Sequence, residues 1–150
     1  MTTPPPGWVC RWPGEPTNVS HWHRGDDRVS VVRLSQHVMG IELVGHVPDE
    51  LLDFLHEALS DLLQGSGAAY LFWEDEALQS YDRELRESLV GLLFRERSKW
   101  KEMHVLFQSP FIGMTAAAVG LILGRRFHSY RSRDKFMAVV EQVLDHGARL

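Results

Sequence analysis

The sequence predicts an α/β protein: a mixed, mostly parallel five-stranded sheet covered by about four helices, in the order β-β-α-β-α-β-α-β-α. Three observations carry this. Two strand-like runs, 29–34 and 38–44, are separated only by Ser35-Gln36-His37, the length of a hairpin turn. From Pro48 onward, stretches with apolar residues at helical spacing alternate with short continuous apolar runs. The chain has 150 residues, 44% apolar and 24% charged, enough for one domain with its own core.

Each element has a local reason. Val29, Val31, Val32 and Leu34 are β-branched or aliphatic, and Met39, Ile41 and Leu43 share one face of the next strand, with the charge of Glu42 on the other. The short turn makes these two antiparallel. Pro48-Asp49-Glu50 opens a helix with proline and acids at its positive end, Leu51, Leu55, Leu59 and Leu62 line it, and Gly65 ends it. Residues 69–73 form a buried strand. Ser80 or Asp82 then opens a long helix reaching about Lys101, with Leu85, Leu89 and Leu92 inward and Asp82–Arg86 and Arg83–Glu87 as i,i+4 pairs outside. Residues 104–107 make the next strand. Ser109 caps and Pro110 starts the helix 111–123, which is apolar nearly all round and is therefore expected to be covered on most sides. Gly124 stops it, 126–130 is a last strand, and Ser132 caps a final helix that turns Phe136, Val139, Val140 and Val143 inward. Strands alternating with helices imply right-handed parallel crossovers.

Residues 1–27 differ. They hold five of the seven prolines and three of the five tryptophans, Trp8, Trp12 and Trp22. The prolines prevent a regular helix, and the large rings favour burial, so the segment reads as an extended arm lying on its own domain or on a neighbouring subunit. The expected division is an arm, 1–27, and a domain, 28–150.

Charge is uneven. The net −4 resolves into +1 over 1–41, −10 over 42–87 and +5 over 88–150. Such blocks read first as solvated faces, and functionally as a means of pairing two copies. Arg125, Arg126, Arg131, Arg133 and Lys135 cluster, but with a pI near 6.0 and no recognition motif nucleic acid is not expected. The single cysteine, Cys10, excludes an internal disulfide, the opening residues lack a secretory pattern, and the 13-residue run 111–123 is shorter than the ~20 residues a membrane span needs. The expectation is a cytoplasmic protein without a membrane span.

No Gly-x-Ser-x-Gly, P-loop or Gly-x-Gly-x-x-Gly occurs, and Cys10 sits in no nucleophile motif. His21-Trp22-His23 is at most half a metal site, and Glu74-Asp75-Glu76 reads as a solvated acidic loop rather than an acid/base pair. No enzyme activity, cofactor or metal is expected. In open α/β sheets ligands gather beyond the carboxyl ends of the parallel strands, an edge that here collects His46, Glu74, Asp75, Ser80, Ser109 and Tyr130. Ser109, at a helix amino end, and Tyr130 are the candidate positions for an anion or ligand, Ser109 serving otherwise only as a cap.

Several strings resemble the STAS domain, the fold of anti-sigma factor antagonists, and its bacterial SpoIIAA-like relatives. These are Gly-Ile-Glu-Leu-Val-Gly at 40–45, Trp73-Glu-Asp75, Tyr81-Asp82, and above all the stretch HVLFQSPFIGMTAAAVGLILGRRFHSYRSRDKF from His104 to Phe136. The likeness covers about 28–146 and leaves the proline-tryptophan arm outside. It implies a non-enzymatic, regulatory protein-interaction module, with Asp75, Ser80, Tyr81 and Asp82 at the partner contact. It also implies a phosphorylated serine at the start of the helix after the third strand. Ser80 is the positional match, although the usual Asp-Ser-Ser-Gly is absent and the neighbouring acids repel a phosphate. The partner expected is another protein or a second copy. The alternative is a carrier or sensor of a small, lipid-like ligand, held in an apolar pocket beside helix 111–123; a cavity of several hundred Å³ would favour it.

Overall fold

The computed structural model describes residues 3–14, 16, 18–65 and 67–148, and side chains through His146. The element order is β1 (Asn18–Arg24), β2 (Asp27–Ser35), β3 (Val38–Val47), α1 (Leu52–Gly65), β4 (Ala69–Asp75), β5 (Leu78–Tyr81), α2 (Arg83–Arg95), β6 (Trp100–Phe107), α3 (Pro110–Leu123), β7 (Phe127–Tyr130) and α4 (Arg133–Ala148). The sheet runs β1-β2-β3-β4-β6-β7, with β5 paired to β3 beyond the end of the β3–β4 ladder. β1, β2 and β3 are antiparallel neighbours, and β3, β4, β6 and β7 are parallel.

The α/β class, the opening hairpin, the parallel crossovers and the four helices are those read from the sequence. Among the described residues seven strands replace the expected five. β1 lies within the segment read as an arm: Arg24 pairs with Asp27 across the two-residue turn Gly25-Asp26, and Gly25 takes φ +61°, a conformation open to glycine. β5 arises at Gly45. Its φ of +77° and the Asp27 carboxylate lying where a Cβ would sit both require glycine, and the kink releases β3 from β4 so that its last residues pair with Leu78, Ser80 and Tyr81. Of the two openings expected for the long helix, Ser80 or Asp82, the second holds: Asp82 is the N-cap residue of α2, which ends at Arg95 rather than near Lys101. Ser80 is in a strand. Trp100, fully buried, donates its Nε1–H to the Leu93 carbonyl at 2.8 Å and starts β6 opposite Ala69.

Alternation divides the core. One face carries Ile41, Leu43, Leu71, Trp73, Met103 and Val105 under α1, α2 and α3. The other carries Val32, Val38, Phe72 and Leu106 under α4. The arm packs on this second face of its own sheet: Trp12 is buried against Phe136, and Trp8 meets the buried His21 ring edge-on at 4.4 Å. Glu42, expected on the face opposite Met39, Ile41 and Leu43, is also buried.

Gly40 gives the Trp12 ring its seat. A Cβ there would lie 2.7–2.9 Å from three ring atoms. Gly40→Val should therefore lift Trp12, cost about 1–3 kcal/mol by overpacking, and speed tryptic cleavage after the exposed Arg11. Equal cleavage rates in the variant and the parent would show that the ring is not held there.

Candidate functional site

Three polar constellations stand out. The first is at the carboxyl edge. The kink at Gly45 turns His46 toward β5, where its Nδ1 lies 2.7 Å from Ser80 Oγ and its Nε2 3.2 Å from Asp82 Oδ1. The carboxylate only accepts, which fixes the ring proton on Nε2, so the Ser80 hydroxyl donates to Nδ1. Asp82 precedes α2 as its N-cap residue, and its other oxygen accepts the Asp49 amide at 2.9 Å rather than an α2 amide. All three side chains are partly exposed. A serine–histidine–aspartate relay polarises the hydroxyl. The nearby amides are already bonded, however: His46 N to Asp27, Asp49 N to Asp82, and Asp82 N to the Val47 carbonyl. None of these is left to stabilise an oxyanion, so the geometry suits a modifiable or contacting serine better than acyl transfer.

The second lies inside. Asp75 and Tyr81, expected at the contact surface with Ser80 and Asp82, turn inward. Asp75 is 7% exposed on the same strand face as Trp73, and the Tyr81 ring is half-buried and packs 6.0 Å from Phe111. Burial and the charge of Glu74 push the Asp75 carboxyl well above the usual carboxylate range. Trp73, Asp75 and Tyr81 line an apolar cavity of about 100 Å³ between the sheet, α2 and α3. It is smaller than the several hundred Å³ expected of a carrier, but it shares Arg86, Val90, Thr115 and Val119 with a groove of about 470 Å³ between α2 and α3. The third helix is less covered than its composition implied. Met114, Leu121, Ile122 and Phe111 are exposed, Leu121 at 89%, beside Phe94 of α2.

The third is under α4. Glu42 and Glu74, paired in register on β3 and β4, are 5% and 3% exposed. Arg28 stands 3.4 Å from Glu42, and Arg133 stands 3.6 Å from Glu74 and 3.7 Å from Glu76. Burial first, then the hydrogen bond to Glu42 and its charge, raise Glu74 to about 7. On the same face the buried His104 accepts from the Tyr130 hydroxyl at 2.8 Å, donates to Glu102 at 3.2 Å and stacks between Phe72 and His128. Burial lowers its pKa and keeps it neutral. Tyr130 is thus engaged under α4, whereas Ser109 heads α3 on the opposite layer. Ser109 occupies the cap position with its carbonyl accepting from Gly113 at 2.9 Å, but its side chain makes no cap bond. The Glu42–Glu74 pair is a feature that sequence reasoning missed. The available signal was an acid at matching register in two strands that also bury their second face. Among the described residues no group of three or more His, Cys, Asp or Glu is arranged to hold a metal, and no helix is long and apolar enough to cross a membrane.

No protein-family model and no curated protein sequence matches the chain. Solved structures do. An uncharacterised protein of the DUF3478 family with a SpoIIAA-like fold, from Shewanella loihica PV-4, superposes with a TM-score of 0.58 at 11% identity, over 85% of this chain and 99% of that one. The anti-sigma factor antagonist SpoIIAA in its unphosphorylated form gives 0.56 at 13%, over 77% and 96%. The chain has a SpoIIAA-like, STAS-type fold. The phosphorylated form of the Bacillus cell fate determinant SpoIIAA gives 0.56 at 15% identity, over 77% and 98%. In the SpoIIAA-like frame the relay at His46 lies where β5 leads into α2.

Proposed function

We propose that the chain is a non-enzymatic, STAS-type protein-interaction module that regulates a partner protein in a bacterial cytoplasm. One observation carries the reading: Ser80, His46 and Asp82 form a hydrogen-bonded, partly exposed cluster at the entry to α2. All three members are partly exposed, whereas Tyr81 and Asp75 turn into the cavity beneath them. One of the solved SpoIIAA structures is of a phosphorylated form, which supports a modifiable residue on such a fold. A phosphate on Ser80 would place close to two negative charges against His46 and beside Asp82, breaking the relay and changing the face a partner meets. The test is capture from host extract by the full chain. A protein retained by the parent and lost on Asp82→Arg, but kept on Asp61→Arg in the far half of α1, fits the reading. The same proteins retained by both variants refute it. Light scattering of the purified chain separates a foreign partner from a second copy.

A second reading draws on the lining of the cavity under α3, although its volume of about 100 Å³ is below that expected of a carrier. Its walls are almost wholly apolar, and it adjoins the α2–α3 groove, which suits a carrier or sensor of a lipid-like ligand.

A further inference from the structure

Three of the residues that line the cavity under α3 carry a buried polar atom with no hydrogen-bond partner: Trp73 Nε1, Asp75 Oδ1 and Tyr81 Oη. Buried polar atoms are paired in the great majority of cases, so three unpaired ones on residues of the same cavity wall point to a bonded occupant. Asp75 is more than nine-tenths buried.

Their chemistry restricts that occupant. The indole N–H of Trp73 only donates, so the ligand must accept. Asp75 Oδ1 is an acceptor in either protonation state when the proton sits on the other oxygen, so the ligand must also donate. The Tyr81 hydroxyl does either. A hydroxyl both donates and accepts, so it meets each of these demands. An ammonium has nothing to accept from Trp73, and a carboxylate has nothing to donate to Asp75 Oδ1 when the Asp75 proton sits on Oδ2. Desolvating a full charge at this depth is also unfavourable. Away from these atoms the walls are aliphatic and aromatic: Leu43, Leu89, Val105, Ile112 and Phe127 among them. A cavity of about 100 Å³ takes only the first few carbons of a chain, and the remainder has a path along the groove past Val90 and Val119 toward the exposed Phe94 and Ile122.

We infer that the cavity binds an uncharged, hydroxyl-headed, single-chain amphiphile, its head among Trp73, Asp75 and Tyr81 and its tail leaving between α2 and α3. This rests on the reading that the cavity takes a ligand at all, and the experiment separates the two. The full chain is titrated calorimetrically with 1-octanol, octylamine and octanoate. 1-Octanol should bind about tenfold or more tightly than either charged analogue. Asp75→Leu should weaken 1-octanol about tenfold, while Asp75→Asn, which still accepts, should hold it within about threefold. Ala118→Trp, on the groove wall, should weaken 1-octanol and spare 1-butanol. If none of the three analogues binds, the cavity takes no such ligand and both statements fall. If they bind without head preference, or Asp75→Leu leaves 1-octanol unchanged, the head assignment falls alone.

Discussion

Phe136→Ala is expected to lower the unfolding free energy by about 3–5 kcal/mol, the largest loss from any single truncation in the α4 layer. The ring is fully buried. It meets Phe72 edge-on at 5.8 Å, Tyr130 edge-on at 5.8 Å and Trp12 at 6.1 Å. It thus joins three segments far apart in sequence: the arm, the central strand β4 and the amino end of α4. Such contacts add to simple area burial, because edge-to-face rings each contribute about 0.5–1.5 kcal/mol. Truncation leaves a cavity bordered by rings on rigid strands, which relax little. Val143→Ala, on the half-buried part of the same helix, should cost about 1 kcal/mol, and urea unfolding of the two variants gives the comparison. A loss below about 1 kcal/mol for Phe136→Ala would mean that Trp12 drops into the vacated space, and that the arm is a mobile cover rather than part of the core.

Much of this architecture was legible because apolar spacing reports which residues seek burial. Leu55, Leu59 and Leu62 of α1, Leu85 and Leu89 of α2, and Phe136 and Val140 of α4 are all buried as their spacing implied. The two added strands were not legible for opposite reasons. β1 reads Asn-Val-Ser-His-Trp-His-Arg, whose inward positions include His21, buried only because Ser30 bonds it at 2.9 Å. Polar residues satisfied across a ladder do not look like a strand. β5 has four residues and depends on a kink in a different strand, which no local pattern records. The site divided in the same way. The carboxyl edge did gather His46, Ser80 and Asp82, because crossover topology brings those loops together. Period-two alternation also decides which members face out, and Asp75, on the Trp73 side of β4, faces in. For α3, composition told how apolar the helix is but not what covers it, and its outer side is open.

Glu74→Gln is expected to remove a pH dependence of stability that the parent shows between about pH 4.5 and 7. The folded chain holds the Glu74 carboxyl at about 7, above its ordinary 4.5. Burial is the main cause. Next is Glu42, directly opposite in register, which accepts a hydrogen bond from the protonated carboxyl and repels the ionised one. The Glu76 amide at 3.1 Å and Arg133 at 3.6 Å pull the other way and do not prevail. Between pH 4.5 and 7 the folded state therefore keeps a proton that the unfolded state releases. Stability falls as pH rises through that window, and the loss is complete above pH 7 at about 3 kcal/mol. Asp75, also raised, adds a loss of the same sign, so Glu74→Gln removes only the Glu74 share and the double variant with Asp75→Asn removes both. The glutamine amide still donates to Glu42, which keeps the packing while deleting the titration. Urea unfolding at pH 5 and pH 8 reads the difference: the variant should lose markedly less stability than the parent over that step and exceed it at pH 8. If parent and variant change alike, the Glu42–Glu74 pair does not share a proton, and Arg28 and Arg133 hold both carboxylates ionised beneath α4.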